Sequence, residues 1–178
     1  MRITISGPPG SGKTTVAEIV SERIGLELIL TGKVFREQAV DAGMDVLEYN
    51  RLAERDHSID EKLDAEIIRL ARMNENSVVE GRLAGQLLMR EGISALKVFV
   101  TAPARVRAER IVKREATDIE SETKILIDRE SSERKRYIEL YGIDIDDMSV
   151  YDLVIDSTDI SAEEAAQIVI DEVSKRRK

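Results

Sequence analysis

Eight residues near the start of the chain, Gly7-Pro8-Pro9-Gly10-Ser11-Gly12-Lys13-Thr14, fit G-x-x-x-x-G-K-[ST], the pattern of a phosphate-cradling P-loop. Its chemistry is nucleotide phosphate binding. Glycines lacking Cβ let the backbone curl and turn its N–H groups toward phosphate oxygens. Lys13 reaches the outer phosphates, the Thr14 hydroxyl takes the accompanying Mg2+, and Thr15 completes the ATP-binding run. The flanks suit this use. Arg2-Ile3-Thr4-Ile5-Ser6 alternates like a strand, and Val16, Ile19, Val20 and Ile24 share one helical face before Gly25. A helix starting at the lysine adds its partial positive charge to the loop.

A second set of residues fits a phosphate acceptor. Arg36 follows a predicted second strand and Arg82 a third, and arginine forks match phosphate oxygens. Arg129, Glu133 and Arg136 fall at i, i+4 and i+7, which puts them on one helix face. That face is either an acceptor clamp or an exposed salt-bridge ladder. Arg107, Arg110 and Arg114 share another face, either solvated or carrying one arginine, taken as Arg110, to ATP. Glu80 ends the third strand as a buried acid, a partner of metal-bound water or an aid to substrate orientation. Asp60 and Asp64 lie one turn apart and either face solvent or read an exocyclic amine. His57 has no serine or metal-ligand cluster near it in sequence and takes no role.

These residues need a scaffold, and the pattern supplies one. Strands are expected at 2–6, 26–30, 78–80, 96–100 and 150–155, with helical segments between them. Thr31-Gly32 is expected to cap a helix beginning near Lys33, and Ser58 with Glu61 has capping-box spacing. Ser161 with Glu164 repeats that spacing before the last helix. A break near Thr117-Asp118 divides a long helical stretch. Strands alternating with helices predict an α/β fold: a five-stranded parallel sheet with helices on both faces. Ligands of such sheets bind beyond the carboxyl ends of the strands. The stretch from Lys33 to Met73 is too long for a simple crossover and reads as a helical substrate lobe.

Composition bounds the answer further. The chain has 178 residues, 42% of them hydrophobic, enough for one domain with a substantial core. It has no cysteine, which excludes disulfides, thiolate metal sites and cysteine nucleophiles. No apolar run approaches the ~20 residues of a membrane span. Net charge is −8 and aromatics make up 3%, a poor basis for binding nucleic acid through charge or base stacking. A cytoplasmic monomer without membrane or nucleic-acid partners is expected.

With these residues assembled, the chain resembles the P-loop nucleoside monophosphate kinases, and among them the archaeal-type cytidylate kinases. Thr31-Gly32-x-x-Phe35-Arg36, Glu80-Gly81-Arg82-Leu83-Ala84-Gly85, the Arg129-Glu133-Arg136 set, Tyr141-Gly142-Ile143-Asp144 and Tyr151-Asp152-Leu153-Val154-Ile155-Asp156 carry the likeness. The resemblance implies ATP and CMP or dCMP as substrates, with Mg2+. It implies a core (1–31, 74–106, 142–178), a monophosphate-binding lobe (about 32–73) and a small lid (about 107–141). Arg36, Arg82 and Arg129 would grip the acceptor phosphate or line the transfer site, and Glu133 with Arg136 would approach its ribose. Bacterial relatives carry Asp where this chain has Leu83, and their base-reading arginine has no match here. AMP, UMP or a small metabolite such as shikimate are the rival acceptors. A nucleotide-dependent switch or binding module is the rival class, though no Asn-Lys-x-Asp motif supports a guanine-nucleotide switch.

Overall fold

Short runs rich in Ile, Leu and Val make five strands: β1 (Arg2–Ser6), β2 (Glu27–Leu30), β3 (Ser77–Glu80), β4 (Leu96–Thr101) and β5 (Leu153–Asp156). The computed structural model describes residues 1–115 and 118–176. All strands pair in parallel, in the order β2-β3-β1-β4-β5. The central strands β1 and β3 are buried almost throughout, as expected of a parallel sheet covered on both faces.

The helices that cover it are α1 (Lys13–Ile24), α2 (Thr31–Asp41), α3 (Val46–Ala53), α4 (Ser58–Met73), α5 (Ala84–Arg90), α6 (Ala104–Glu115), α7 (Ile119–Tyr141) and α8 (Ala162–Arg176). Ile3, Ile5, Val78, Val98 and Val100 meet Val16 and Val20 of α1 and Val169 and Val173 of α8 on one face. Ile29 and Val79 meet Ile67 of α4 and Leu88 of α5 on the other. Between β2 and β3 the chain inserts α2, α3 and α4, with a smaller core of Ala39, Tyr49, Ala53 and Ile59. The expected architecture is therefore present.

Several local expectations give way to other physics. Thr31 and Gly32 lie inside α2 rather than capping it. The Thr31 hydroxyl instead donates to the Glu80 carbonyl at 2.6 Å, which ties the start of the insertion to the end of β3. Ser58 opens α4 without a side-chain cap. The capping box of this region is Asp45 with Glu48, at the start of α3. Ser161 and Glu164 do cap α8 reciprocally. β5 begins at Leu153, after a 3-10 turn over Met148–Val150. The expected break near Thr117-Asp118 falls partly outside the described residues; Asp118 caps α7 through the Glu120 and Ser121 amides.

α6 packs directly under the P-loop. Gly10 has φ +77°, and a Cβ there would lie 2.7 Å from the Arg107 carbonyl oxygen. Gly12 has φ +87° but open space around it. Both positions carry the left-handed penalty of a side chain, roughly 1–2 kcal/mol; only Gly10 also has backbone in the way. Gly12→Ala should therefore lose roughly that amount in urea unfolding, and Gly10→Ala clearly more. Equal losses would mean that α6 withdraws from the loop without cost.

Candidate active site

The P-loop leaves the end of β1 and enters α1, as a phosphate cradle must. Gly7, Pro8 and Ser11 are buried, while Thr14 and Thr15 face outward from the first turn of α1. The Ser11 hydroxyl is buried without a hydrogen-bond partner. Lys13 Nζ stands 3.5 Å from Glu80 Oε1, and the Thr14 hydroxyl donates to the same oxygen at 3.3 Å. Burial pushes the Lys13 ammonium below its usual pKa, with Glu80 opposing that fall and Arg82 adding to it. Glu80 itself is 5% exposed. A hydroxyl and a carboxylate oxygen side by side are hard donors, and they suit a hard divalent cation that takes its remaining ligands from phosphates and water. Among the described residues no group of three His, Cys, Asp or Glu forms a metal cage.

The arginines expected from sequence divide into those that converge on this loop and two, Arg36 and Arg136, that do not. Arg82 Nη1 reaches the Gly7 carbonyl at 3.5 Å and forms an ion pair with Glu133. Burial lowers the Arg82 pKa to about 10, so it stays charged at neutral pH. Glu133, 6% exposed, also receives Arg129 Nε at 2.8 Å. The row on α7 is thus no solvated ladder at its centre, although the Arg129 side chain remains 58% exposed. Arg136 points to Asp60 of α4 at 3.2 Å. Arg36 is exposed and makes no ion pair among the described residues; it lines a shallow groove with Lys33, Glu37, Val40 and Asp41.

On α6 the solvated-face alternative fails for two of the three arginines. Arg107 is 4% exposed and donates to Ala102 O at 2.8 Å and Pro9 O at 3.1 Å, and it pairs with Glu130 of α7. It props the loop from beneath. Arg110 reaches the carbonyls of Gly10 and Ser11 at 3.4 Å each and Ser157 Oγ at 3.0 Å. It therefore lies where the P-loop meets the loop after β5. The Arg114 side chain lies outside what is described. Glu130 is missed by sequence reasoning: nothing in its spacing marks it, because its partner Arg107 comes from another element.

Beside the loop a cavity of about 550 Å³ opens against Gly7, Pro8 and Arg82, floored by Phe99, Thr101 and Val154. It flanks the loop rather than covering Lys13 and Thr14. Toward the other end of α7, Asp60 and Asp64 of α4 face Arg136 and Tyr141. Burial pushes Asp64 up to about 6; the Asp60 carboxylate adds to the rise, and the Tyr141 hydroxyl and Arg136 oppose it. Burial likewise raises Asp60, against the pull of Arg136.

A sequence profile of the cytidylate kinase-like family matches residues 2–159. The cytidylate kinase of Methanocaldococcus jannaschii is 44% identical, over 100% of this chain and 100% of its own. That of Archaeoglobus fulgidus is 43% identical, over 99% and 97%. In solved structures, the shikimate kinase of Bacteroides thetaiotaomicron superposes with a TM-score of 0.68 at 13% identity, over 98% of each chain. That of Acinetobacter baumannii, in complex with shikimate, gives 0.66 at 16%, over 98% of this chain and 93% of its own. At such identities the likeness speaks for the fold alone.

The raised Asp64 pKa has a consequence for stability. The folded form holds its proton up to about pH 6, whereas the unfolded chain releases it near 3.8, the ordinary aspartate value. Stability contributed at this residue therefore falls as pH rises between those values and stays low above them. Asp64→Asn should raise the melting temperature by several degrees at pH 8, an upper bound of about 3 kcal/mol, and leave it nearly unchanged at pH 4. Equal effects at both values would show that Asp64 ionises freely.

Proposed function

Because the chain belongs to the cytidylate kinase-like family, we propose that it transfers the γ-phosphoryl group of ATP to CMP, and to dCMP, giving ADP and the diphosphate. The full-length cytidylate kinase relatives support the acceptor. One observation carries the reading at the level of the site. Arg82, anchored at Gly7 O, links the P-loop to a buried carboxylate on α7 that also holds Arg129. A clamp for a second anion thus stands beside the cradle for the first.

In this mechanism the P-loop amides and Lys13 hold the donor's outer phosphates. When bound, Mg2+ neutralises phosphate charge, with the Thr14 hydroxyl as its protein ligand and Glu80 beside it. An oxygen of the CMP phosphate attacks the γ-phosphorus in line; the bond to the β-phosphate oxygen breaks, and its electron pair leaves with ADP. The acceptor oxygen is already anionic, so no general base is required. Such a transfer needs positioning and positive charge more than covalent help. Arg82 and Arg129, relieved of Glu133, grip the acceptor phosphate together with Arg36, and Arg110 meets ATP. Glu133 and Arg136 then serve the ribose side.

Arg36 lines a groove that includes neither Arg82 nor Arg129, and our reading has the lobe move to bring it to the clamp. We assign residues 32–73 to that acceptor lobe and 107–141 to a lid, closing over the core to keep water from the γ-phosphate. Our reading also has it act as a cytoplasmic monomer; the net charge of −8 disfavours nucleic acid as a partner, and no described helix is long and apolar enough to cross a membrane.

The test is ADP formation from Mg-ATP with CMP, dCMP, UMP, AMP, GMP and shikimate as separate acceptors and an acceptor-free control. A preference for CMP and dCMP is expected; acceptor-independent hydrolysis would favour a switch or binding module. Lys13→Ala should lower kcat by about 10³-fold or more in a protein that still folds, and near-normal turnover would remove Lys13 from the reaction. Arg82→Ala should damage the acceptor's KM and kcat more than the KM for ATP. Equal damage to both would place Arg82 in general loop support.

A further inference from the structure

Resting on the reading above for the donor side of the cleft, we propose that Glu130 of α7 is a positioning residue for the P-loop. Acting through Arg107, it holds the loop's carbonyl oxygens outward, so that the cradle presents N–H groups to the donor phosphates.

Every peptide that offers an N–H to a phosphate also carries a carbonyl oxygen. That oxygen needs a partner of its own, and it opposes the phosphate if it turns into the cradle. In this chain each carbonyl from Gly7 to Gly12 is engaged elsewhere. Gly7 O accepts from Arg82 Nη1 at 3.5 Å, Pro8 O from the Ser11 amide at 3.3 Å and Pro9 O from Arg107 Nη1 at 3.1 Å. Gly10 O and Ser11 O both accept from Arg110 Nη1 at 3.4 Å, and Ser11 O also from the Ser157 hydroxyl at 2.9 Å. Gly12 O accepts from the Val16 amide at 3.0 Å, inside α1. Three guanidinium groups thus stand behind the loop.

Arg107 differs from the other two. Arg82 and Arg110 have phosphates to meet in the reading above, whereas the donors of Arg107 are spent inside the protein. Its Nε donates to Ala102 O at 2.8 Å, its Nη1 to Pro9 O and to the Glu130 carboxylate, and its Nη2 to the second Glu130 oxygen at 3.2 Å. Its backbone carbonyl also lies where a Cβ on Gly10 would come. Arg107 therefore grips two successive residues of the loop. What aims its side chain is the acid: a carboxylate that meets both Nη atoms fixes the plane of the fork. Among the described residues Glu130 is the only acid paired with Arg107. Both residues line the cavity of about 550 Å³ that opens beside Gly7 and Pro8, so the fork has room to swing off Pro9 O once the acid is gone. Glu130 itself makes no contact with the loop, and its effect there passes through Arg107.

The experiment compares wild type with Glu130→Gln and Arg107→Lys, each well below its melting temperature. Calorimetry measures the affinity for the Mg2+ complex of β,γ-methylene ATP and, separately, for CMP; melting temperatures are recorded alongside. Glu130→Gln keeps the shape of the side chain and removes its charge. Affinity for the ATP analogue should fall about tenfold, the worth of one hydrogen bond to a charged group, with affinity for CMP unchanged. Arg107→Lys keeps the buried charge but loses the fork, and it should show the same split. A strut would lower both affinities together, or neither. Equal losses for the analogue and CMP, or wild-type affinity for the analogue in Glu130→Gln, would overturn the proposal. If Glu130→Gln does not fold, Arg107→Lys decides by the same criteria. A wild type that binds no analogue and phosphorylates no acceptor removes the kinase reading, and this role with it. A wild type that does both, beside variants that bind the analogue as tightly, refutes the positioning role alone.

Discussion

A carboxylate at the end of a fully buried strand has to find positive charge or donors, and Glu80 finds both. β3 is the only strand with neighbours β1 and β2 on its two sides, so its carboxyl end lies between the P-loop and the start of the insertion. The side chain meets Lys13 and Thr14, while the backbone carbonyl takes the Thr31 hydroxyl. One residue thereby fixes the P-loop and the start of the α2–α4 insertion relative to each other. Loss of that acid would leave Lys13 buried without its opposite charge, which is worse than never having built the pair.

The same problem recurs with the opposite sign around the arginines. The chain is acidic overall, at −8, but the cleft must bind two polyanions. Its cations are held in place by acids from α7: Arg82 by Glu133 and Arg107 by Glu130. These pairs have different duties. Arg107 is locked by Ala102 O, Pro9 O and Glu130 at once, so it is a rigid support for the loop. Arg82 has only a long contact to Gly7 O besides its acid, so it is held at fewer points than Arg107. Both tethers run through α7, which supplies Glu130 and Glu133 one turn apart.

What could be read from sequence follows from locality. The P-loop, the strand periodicity and the helix stop at Gly25 are consequences of adjacent residues, and they were legible. The face shared by Arg129, Glu133 and Arg136 was legible as a face. Whether it pointed to solvent depended on Arg82, 51 residues away from Glu133. Thr31 looked like a cap because caps and long-range donors use the same side chain; the Glu80 carbonyl won. Ser58 and Glu61 had the spacing of a capping box, but the chain placed that device at Asp45 and Glu48, one helix earlier. Arg107 looked like one more solvated arginine, since nothing in its neighbours reveals that α6 passes beneath Pro9.

The insertion shows how function and stability can share one set of atoms. α4 is held to the core on its apolar side by Leu63, Ile67 and Ala71, and that side alone suffices to fold it. Its other side carries Asp60 and Asp64 into a seam where burial raises both acids and where Arg136 compensates only in part. A sequence selected for stability alone would place apolar residues there, because well-packed hydrophobic replacements of buried ion pairs are commonly neutral or stabilising. On grounds of stability alone, then, nothing requires four polar side chains at this seam.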